Sequence, residues 1–454
     1  MEIRLASPVL QPDSIVDGEG IRAVLWTQGC DHKCPGCHNP QTHSFDSGFI
    51  LDVEEVKKQI DDLEEQDGIT FSGGDPLYQP EACLEIAKYA KEKKMNVWCY
   101  TGFTFETLLI MKNKNSKIEE FLKTGEAYEI KDGGIIYKDK VCIILGSEIE
   151  TSEINDNGKT GSAHNLCYFP SLADIKAFSK EMSKYIKNIT LSSQRACISA
   201  YELVDIVEKF NGVLIPAHAF TPHKSFYGNC TSRLERIFKE KFNKIFAIEL
   251  GLSADTELAD QISELETRTF ITNSDAHSLP KIAREYNKIL VEDISFKELL
   301  KALKNEDGRK ILCNYGLDPK LGKYHRTYCE TCDKPIEGEP PVFECPECHG
   351  TNITMGVLDR IVSIRDKEKS ISPANRPPYV YQVPLTFIPG LGSKTIDKLL
   401  NTFETEMNIL HKLSEDDIEA VVGEKVAKTI VAAREGKATI QAGGGGVYGK
   451  LTVG

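Results

Sequence analysis

Two clusters of cysteines are the first residues whose types and spacing could do chemistry. Fourteen cysteines are many for a chain of 454 residues, and half of them lie in these clusters. In a reducing compartment, clustered cysteines act as metal ligands more often than they form disulfides. We therefore interpret both clusters as metal sites and the scattered cysteines as small buried hydrophobic residues. The clustered residues are Cys30, Cys34, Cys37, Cys329, Cys332, Cys345 and Cys348.

The first cluster is a CxxxCxxC loop that directly follows an apolar run, AVLWTQG. Three thiolates this close can hold three irons of a [4Fe–4S] cube and leave the fourth iron open to a non-protein ligand. A zinc site of three cysteines and one histidine, His32 or His38, is the alternative. The sequence therefore predicts a metal site whose kind the loop alone leaves open.

A glycine loop follows one strand–helix unit later, at the predicted end of the next strand. Glycines at such a position allow the backbone to approach a bound ligand closely, although a plain turn is the alternative. Its position after the cysteine loop favours the ligand interpretation. The candidate residues are Ser72, Gly73, Gly74 and Asp75.

The second cluster has two CxxC knuckles separated by twelve residues. Four thiolates close a tetrahedral Zn²⁺ site with no open position, so we predict a structural zinc ion. Contact of this ribbon with DNA is a further hypothesis.

A glycine turn further along, FIPGLGSKT, contains Gly390, Gly392 and Lys394. Such a turn presents backbone N–H groups at a helix N-terminus, where a phosphate can bind without any base being read. The lysine adds positive charge. We therefore predict a helix-hairpin-helix that binds DNA, with residues 421–430 as a second, weaker copy; a simple turn between packed helices is the alternative.

Five short segments in the middle of the chain carry histidines and carboxylates. Imidazoles and carboxylates suit zinc, manganese or iron, and paired metals suit phosphodiester hydrolysis. One such residue alone is more often an ordinary polar side chain, but five segments at successive predicted strand ends favour a metal domain. The candidate ligands are Glu148, His164, His218, Glu249, Asp275 and His277.

The elements that must position these residues are of the α/β class. Residues 1–105 alternate strands (23–29, 68–74, 96–102) with helices (53–63, 82–94), which predicts parallel strands. A polar junction, 106–135, precedes a second alternating region, 136–315, in which the ligands lie at strand ends as in α/β barrels. Residues 316–355 are predicted as a zinc ribbon, 385–440 as helical and 441–454 as a glycine-rich loop, with a proline-rich connector at 371–384.

The bulk charge, −13, argues against a globally basic nucleic-acid-binding protein. Residues 351–454 carry 13 Lys+Arg and 12 Asp+Glu, so an anionic partner would be repelled least there. No apolar run is long enough to span a membrane, and the first residues lack the apolar segment of a signal peptide. We therefore expect a cytoplasmic protein without a membrane partner.

Residues 1–105 resemble the radical-SAM activating proteins of anaerobic ribonucleotide reductase. IVDGEGIR, LWTQGCDHKCPGCHNPQTH, FSGGDPLYQP and NVWCYTGFTFE carry the resemblance. It implies that Cys30, Cys34 and Cys37 ligate the cluster, that S-adenosylmethionine chelates the open iron, and that the loop 72–75 contacts its methionine moiety. The implied reaction is reductive cleavage to a 5′-deoxyadenosyl radical, which abstracts hydrogen from a glycine of the reductase. Family members continue with further strands, whereas here the resemblance stops near residue 105.

Residues from about 125 to the end resemble endonuclease Q, a repair nuclease acting at deaminated bases, whose metal domain is of the polymerase-and-histidinol-phosphatase (PHP) type. GSEIE, HAFTP, ELGLSAD, SDAH, the cysteine ribbon and GGGGVYG carry this resemblance. It implies zinc or manganese in the middle domain and DNA with deaminated bases as a partner. The family begins with a His-x-His strand and soon adds an aspartate, and nothing of that form precedes Glu148.

Three functions follow as hypotheses. The first is a radical-SAM oxidoreductase of the glycyl-radical-activating type, which we favour because its diagnostic residues are all present. The second is a nuclease at DNA lesions, and the third is a non-catalytic DNA-binding remnant held by zinc. The two regions are predicted either to share one hybrid barrel or to be a simple fusion.

Overall fold

The computed structural model describes residues 1–32, 34, 37–63, 66–103, 117–189 and 194–452. It contains two compact units, Met1–Lys114 and Asn115–Gly454. Part of the predicted cysteine loop, 33 and 35–36, and part of the junction, 104–116, lie outside the described residues. In the part of the chain that is described, no helix has both the length and the apolar character needed to cross a membrane.

The first unit is one mixed sheet with two helices. Its strands follow the order β4–β1–β3–β5–β6, with β2 paired to β3. β3, β5 and β6 are parallel, as predicted, whereas β1, β2 and β4 add antiparallel pairs that the sequence analysis did not predict. The elements are β1 (Glu2–Leu5), β2 (Gln11–Ser14), β3 (Arg22–Thr27), β4 (Phe49–Asp52), α1 (Val53–Asp61), β5 (Gly68–Gly73), α2 (Pro80–Glu92) and β6 (Asn96–Cys99).

Arg22 ties the three parallel strands together. Its side chain is fully buried, and its guanidinium donates to Thr70 Oγ1 (2.7 Å) and to the carbonyl of Ile69 (2.9 Å) on β5. It also contacts Asn96 on β6 and lies 5.5 Å from the ring centroid of Trp98. A buried guanidinium is tolerated only when its N–H groups have hydrogen-bond acceptors. The contacts of Arg22 with β5 and β6 therefore stabilise the neighbouring positions of the parallel strands, and the cysteine loop and the glycine loop follow two of these strands.

The second unit contains small sheets rather than one parallel sheet. Its strands are β7 (Ala127–Glu129), β8 (Ile135–Tyr137), β9 (Val141–Ile143), β10 (Leu145–Ile154), β11 (Thr160–Phe169), β12 (Val213–Pro216), β13 (Ala247–Glu249), β14 (Thr269–Ile271), β15 (Tyr286–Leu290), β16 (Lys310–Leu317), β17 (Tyr328–Cys329), β18 (Lys334–Pro335), β19 (Ile353–Thr354), β20 (Tyr379–Gln382), β21 (Thr439–Gln441) and β22 (Lys450–Thr452). Its helices are α3 (Lys117–Thr124), α4 (Leu172–Met182), α5 (Ala200–Lys209), α6 (Leu234–Phe238), α7 (Thr256–Ala259), α8 (Phe296–Lys304), α9 (Val357–Ile364), α10 (Ser393–Phe403), α11 (Glu406–His411), α12 (Glu415–Val422) and α13 (Glu424–Arg434).

The α/β class is therefore correct, but the pairing differs from that of a parallel barrel. β10, β11 and β12 are antiparallel neighbours, whereas β13 pairs with β14 and β16 with β20 in parallel. Each sheet among the described residues lies within one unit. The described strands do not form the single shared sheet of the hybrid-barrel alternative.

The antiparallel pairing corrects the predicted position of two ligands. Glu148 and His164 lie inside the ten-residue strands β10 and β11, not at strand ends. The two strands pair along their whole length, with Glu150 opposite His164. His218 follows β12, Glu249 ends β13, and Asp275 and His277 follow β14, as predicted.

The glycine-rich tail, which the sequence predicts to be a loop, forms a β-hairpin with its neighbouring residues. β21 and β22 pair antiparallel, and Gly443 donates to the carbonyl of Lys320 (2.8 Å). The proline-rich connector also contains regular structure, because β20 pairs with β16. Both segments are therefore packed parts of the second unit.

Arg376 in that connector is buried against the core. Its guanidinium contacts both carboxylate oxygens of Asp260, with a shortest N–O distance of 2.7 Å, and lies 3.6 Å from the ring centroid of Phe270. It also donates to the carbonyls of Arg268 and Leu265. This contact fastens the connector to the second unit.

Candidate metal sites

The cysteine loop begins where β3 ends. Gly29 N–H donates to the carbonyl of Thr42 (2.8 Å) and Cys30 N–H to that of His43 (3.0 Å), which closes the base of the loop. Within it, His43 Nε2 lies 3.3 Å from Cys37 Sγ. Burial raises the pKa of the Cys30 thiol. The loop therefore begins and ends beside the end of β3, with Cys34 exposed and Cys30 and Cys37 partly buried.

The glycine loop fits against the backbone of the cysteine loop. A Cβ on Gly73, whose φ is +99°, would lie 2.6 Å from the carbonyl oxygen of Thr27, and a Cβ on Gly74 would lie 2.6 Å from that of Gly29. Gly74 N–H donates to the carbonyl of Thr27 (2.8 Å). The close approach of the two strand ends therefore requires glycine at both positions, with or without a bound ligand. Ser72, the residue before them, is buried in β5.

Asp75 connects the two loops to the end of β6. Its carboxylate is buried and accepts hydrogen bonds from Thr101 Oγ1 (2.8 Å) and from the backbone N–H groups of Gly102 (2.8 Å) and Leu77 (2.9 Å). One of its oxygens lies 2.8 Å from His32 Nε2 in the cysteine loop. Asp75 therefore holds the cysteine loop in place.

Among the described residues, ligand atoms converge within 4.8 Å in two groups of three or more. Both are in the second unit, and Cys30, Cys34 and Cys37 do not form such a group. A single ion requires this convergence, whereas the thiolates of a [4Fe–4S] cube bind different irons. A [4Fe–4S] cube therefore does not require the three thiolates of the loop to converge.

The four-cysteine site has the geometry of one tetrahedral ion. Sγ–Sγ distances are 3.6 Å for Cys329–Cys348 and 3.8 Å for Cys332–Cys345. A tetrahedron with Zn–S of about 2.3 Å has edges of about 3.8 Å. Backbone N–H groups of Cys348 and Glu347 lower the pKa of Cys345 to about 7, which favours its thiolate form.

The other group joins three predicted ligands from different strands. His164 Nδ1 lies 2.7 Å from Glu148 Oε1 and 3.2 Å from His218 Nε2, and His218 Nε2 lies 3.9 Å from Glu148 Oε2. Burial would raise the pKa of Glu148, but the hydrogen bond and charge of His164 hold it below its ordinary value. Burial lowers the pKa of His218, which favours the neutral imidazole that binds metals.

The backbone at this site is strained. His218 has a φ of +28° and Asp275 a φ of +42°, a region that residues with a Cβ adopt rarely. Gly251 leaves the space for this turn, because a Cβ there would lie 2.8 Å from Cβ of His218. Such strain is found preferentially at functional sites.

The remaining predicted ligands, Glu249, Asp275 and His277, line the pocket that His164 and His218 also line. Their ligand atoms do not converge with those of the three-residue group. The Glu249 carboxylate accepts from the backbone N–H of His218 (2.8 Å), and burial raises the pKa of Glu249 to about 7. Asp275 and His277 lie 3.3 Å apart at the half-exposed rim.

Sequence analysis missed a ring of basic and aromatic residues around this pocket. Arg284 Nη1 donates to Tyr448 Oη (2.8 Å), and Lys323 Nζ lies 4.8 Å from the centroid of the Tyr448 ring. The sequence offered the GGGGVYG tail as a signal, but nothing in it connected this tyrosine with the histidines. The basic lining residues are Lys224, Lys281, Arg284 and Lys323.

The predicted hairpin turn precedes a helix without a side-chain cap. Gly392 is the N-cap of α10, Gly390 has a φ of +85°, and both are exposed beside Lys394. Gly423 is likewise the N-cap of α13 without a side-chain hydrogen bond. The first N–H groups of both helices are therefore available to an anion.

The comparisons find relatives of two kinds. The model of the family "4Fe-4S single cluster domain" matches residues 16–126, so this resemblance extends beyond residue 105, where the sequence analysis ended it. The anaerobic ribonucleoside-triphosphate reductase-activating protein of Haemophilus influenzae is 33% identical over 105 residues, which cover 21% of this chain and 68% of that protein. The N-terminal part of the chain thus matches a 4Fe-4S domain and is related to the activating proteins.

A second set of matches covers about three quarters of the chain. The uncharacterized protein YqxK of Bacillus subtilis is 47% identical over 337 residues, covering 74% of this chain and 84% of YqxK. The crystal structure of the lesion-specific endonuclease PfuEndoQ from Pyrococcus furiosus matches with a TM-score of 0.62 and 34% identity over 74% of this chain and 84% of that one. The chain belongs to the family of YqxK and endonuclease Q, and both predicted resemblances are confirmed.

Proposed function

We propose that the first unit binds a [4Fe–4S] cluster through Cys30, Cys34 and Cys37, binds S-adenosylmethionine at the open iron and cleaves it reductively. The single observation that supports this most is the complete cysteine loop, closed at the end of β3 and attached to the glycine loop at the end of β5. When bound, the cluster supplies the electron for the cleavage. By its homology to activating proteins, the physiological partner is an anaerobic ribonucleotide reductase, which receives a glycyl radical.

The chain's own residues position and shield this site. Asp75 and His32 hold the loop, and the glycines bring the backbone of residues 72–75 beside it, where the methionine moiety is proposed to bind. An aromatic cluster covers His32, whose ring centroid lies 4.6 Å from that of Phe103 and 5.8 Å from that of Tyr78. Apolar surroundings limit water access and tune an iron–sulfur cluster.

The protein, reconstituted anaerobically with iron and sulfide and then reduced, is expected to release 5′-deoxyadenosine from S-adenosylmethionine. Cys34→Ala should reduce this release to the background of the protein-free reaction, because one iron loses its ligand. Cys99→Ala is the matched control, since Cys99 is an exposed cysteine of the same unit outside the loop. Equal release from the Cys34 variant and the parent would refute the proposal.

A second function is proposed for the second unit: binding of DNA with a deaminated base, and its nicking at the pocket of Glu148, His164 and His218. The supporting observation is the basic ring around these converging ligands, because a phosphate beside a metal ion is favoured by nearby lysines and arginines. We further propose that the four-cysteine site holds structural zinc, and that the turns at Gly392 and Gly423 bind DNA phosphates.

The test is nicking of a uracil-containing duplex in the presence of Mn²⁺. We expect His218→Ala to abolish nicking while retaining salt-dependent DNA binding, and His349→Ala, at an exposed histidine of the ribbon, to leave both unchanged. Binding without nicking by the parent protein would instead support the non-catalytic DNA-binding alternative. Absence of both would contradict any DNA-directed function.

A further inference from the structure

The converging ligands of the second unit are two imidazoles and one carboxylate. Glu148, His164 and His218 each offer an atom within 4.8 Å of the others, and no fourth His, Cys, Asp or Glu among the described residues joins them. The His-x-His and aspartate that the family resemblance implies are missing from the chain before Glu148. The donor set of the family's metal centre is therefore not reproduced here.

The remaining candidate ligands are engaged elsewhere. The Glu249 carboxylate accepts from the backbone N–H of His218 at 2.8 Å and is almost fully buried. Asp275 and His277 face each other at 3.3 Å with 49% and 64% of their side chains exposed. A pair of ions would need a second set of protein ligands, and the described residues offer none that converge.

We infer that this pocket binds one divalent transition-metal ion through Glu148, His164 and His218, and that its open coordination positions take a phosphate oxygen. Two imidazoles and a carboxylate suit Zn²⁺, Mn²⁺ or Fe²⁺, and three protein ligands leave positions open for an exogenous ligand. The phosphate ligand rests on the second proposed function; the single ion does not.

The orientation of His164 indicates which of its nitrogens faces the ion. Nδ1 points to Glu148 and His218, whereas Nε2 faces the buried Glu150 at 3.7 Å. Glu150 is held in turn by Arg195 Nε (2.9 Å) and Lys224 Nζ (3.0 Å). At 3.7 Å the Glu150 carboxylate acts on Nε2 through its charge and not through a hydrogen bond. A carboxylate behind a metal-binding histidine favours the tautomer with the proton on that side, so Glu150 is assigned as a positioning residue for Nδ1 coordination.

Charge explains why the open side would accept an anion. One carboxylate against a divalent ion leaves a net charge of about +1 at the centre. The pocket lining adds four basic residues, Lys224, Lys281, Arg284 and Lys323, against the carboxyl groups of Glu249 and Asp275, and Tyr448 holds the Arg284 guanidinium. Opposite charges at such short range and partial burial attract strongly. The excess of basic over acidic side chains in the lining fits a phosphate oxygen at the open side.

Manganese binding to the full chain, with zinc supplied first to the four cysteines, tests the inference by electron paramagnetic resonance. We expect one Mn²⁺ per chain with the spectrum of an isolated ion, and broadening of that spectrum on addition of inorganic phosphate. His164→Ala and His218→Ala should each weaken Mn²⁺ binding at least 100-fold. His223→Ala, which lines the same pocket but stands outside the group, should change it less than threefold.

Glu150→Gln should weaken Mn²⁺ binding about 10-fold and change the hyperfine spectrum of the bound ion, which loss of packing alone would not do. Two bound ions with a spin-coupled spectrum, or equal affinity in the His164 and His223 variants, would overturn the inference. The Mn²⁺ binding measurement contains no DNA and is therefore independent of the nicking test. If one isolated ion binds but the protein does not nick DNA, the single metal site is upheld and only the proposed nuclease function is contradicted.

Discussion

Replacing Arg376 by methionine should lower the free energy of unfolding of the second unit by about 3–5 kcal/mol. The Arg376 and Asp260 side chains are 5% and 0% exposed, so removal of the guanidinium leaves a buried carboxylate with Ser372 Oγ as its remaining donor. Urea unfolding followed by far-ultraviolet circular dichroism measures the change. Both tryptophans, Trp26 and Trp98, belong to the first unit, so the fluorescence transition should stay where it is in the parent protein.

The control for this change is Lys428→Met, which removes an exposed i,i+4 ion pair with Glu424. Such fully exposed pairs contribute little to stability because water screens them. The double variant Arg376→Met with Asp260→Leu should be more stable than Arg376→Met alone, because it removes the unpaired charge as well. A loss no larger than that of Lys428→Met would show that the buried pair does not fasten the connector.

Glu285→Gln should stabilise the second unit at alkaline pH by about 2–4 kcal/mol, because one pKa unit corresponds to about 1.4 kcal/mol. The Glu285 carboxyl is buried, and only one of its oxygens has a partner, the backbone N–H of Leu317 at 2.7 Å. Burial, assisted by the charge of Glu249, raises the pKa of Glu285 to about 8. The folded protein therefore holds a proton that the unfolded chain has already released.

The sign follows from this difference in bound protons. With an unfolded pKa near 4.5, the contribution of the Glu285 proton to stability is complete below that pH and is lost as the pH rises to about 8. The glutamine variant lacks this loss, so the two stability curves should meet near pH 4.5 and diverge above it. Glu306→Gln, at an exposed glutamate, controls for removal of one negative charge. Parallel curves for Glu285→Gln and the parent would contradict the assigned proton.

The parallel core of the first unit could be predicted because its strands are short apolar runs bounded by turns. β3 and β5 are buried almost throughout, and the apolar run AVLW in β3 and the residues Ile69 and Phe71 in β5 are the pattern that predicts them. β2 could not be predicted in the same way, since its sequence, QPDS, is polar and it forms a strand only through its pairing with β3. The local sequence pattern predicts strands whose own apolar side chains are buried. It does not predict a polar strand that forms by pairing with a neighbouring strand.

The candidate ligands could be named from the sequence, but their grouping could not. Glu148 and His164 meet because β10 and β11 form an antiparallel pair, whereas alternation of strands and helices suggested a parallel arrangement. Tyr448 reaches the pocket only through the hairpin of β21 and β22. Convergence over such sequence distances depends on tertiary pairing, which the spacing of residues does not contain.

The hydrogen bonds of Asp75 define how short a cluster-binding segment can be. The most distant residue along the chain that donates to its carboxylate is Gly102, which lies inside the region 16–126 that matches the 4Fe-4S family model. Among the described residues, every hydrogen-bond partner of the Asp75 carboxylate therefore lies between residues 32 and 102. This contact between the cysteine loop, the glycine loop and the end of β6 is local in sequence, which is the behaviour expected of a portable module.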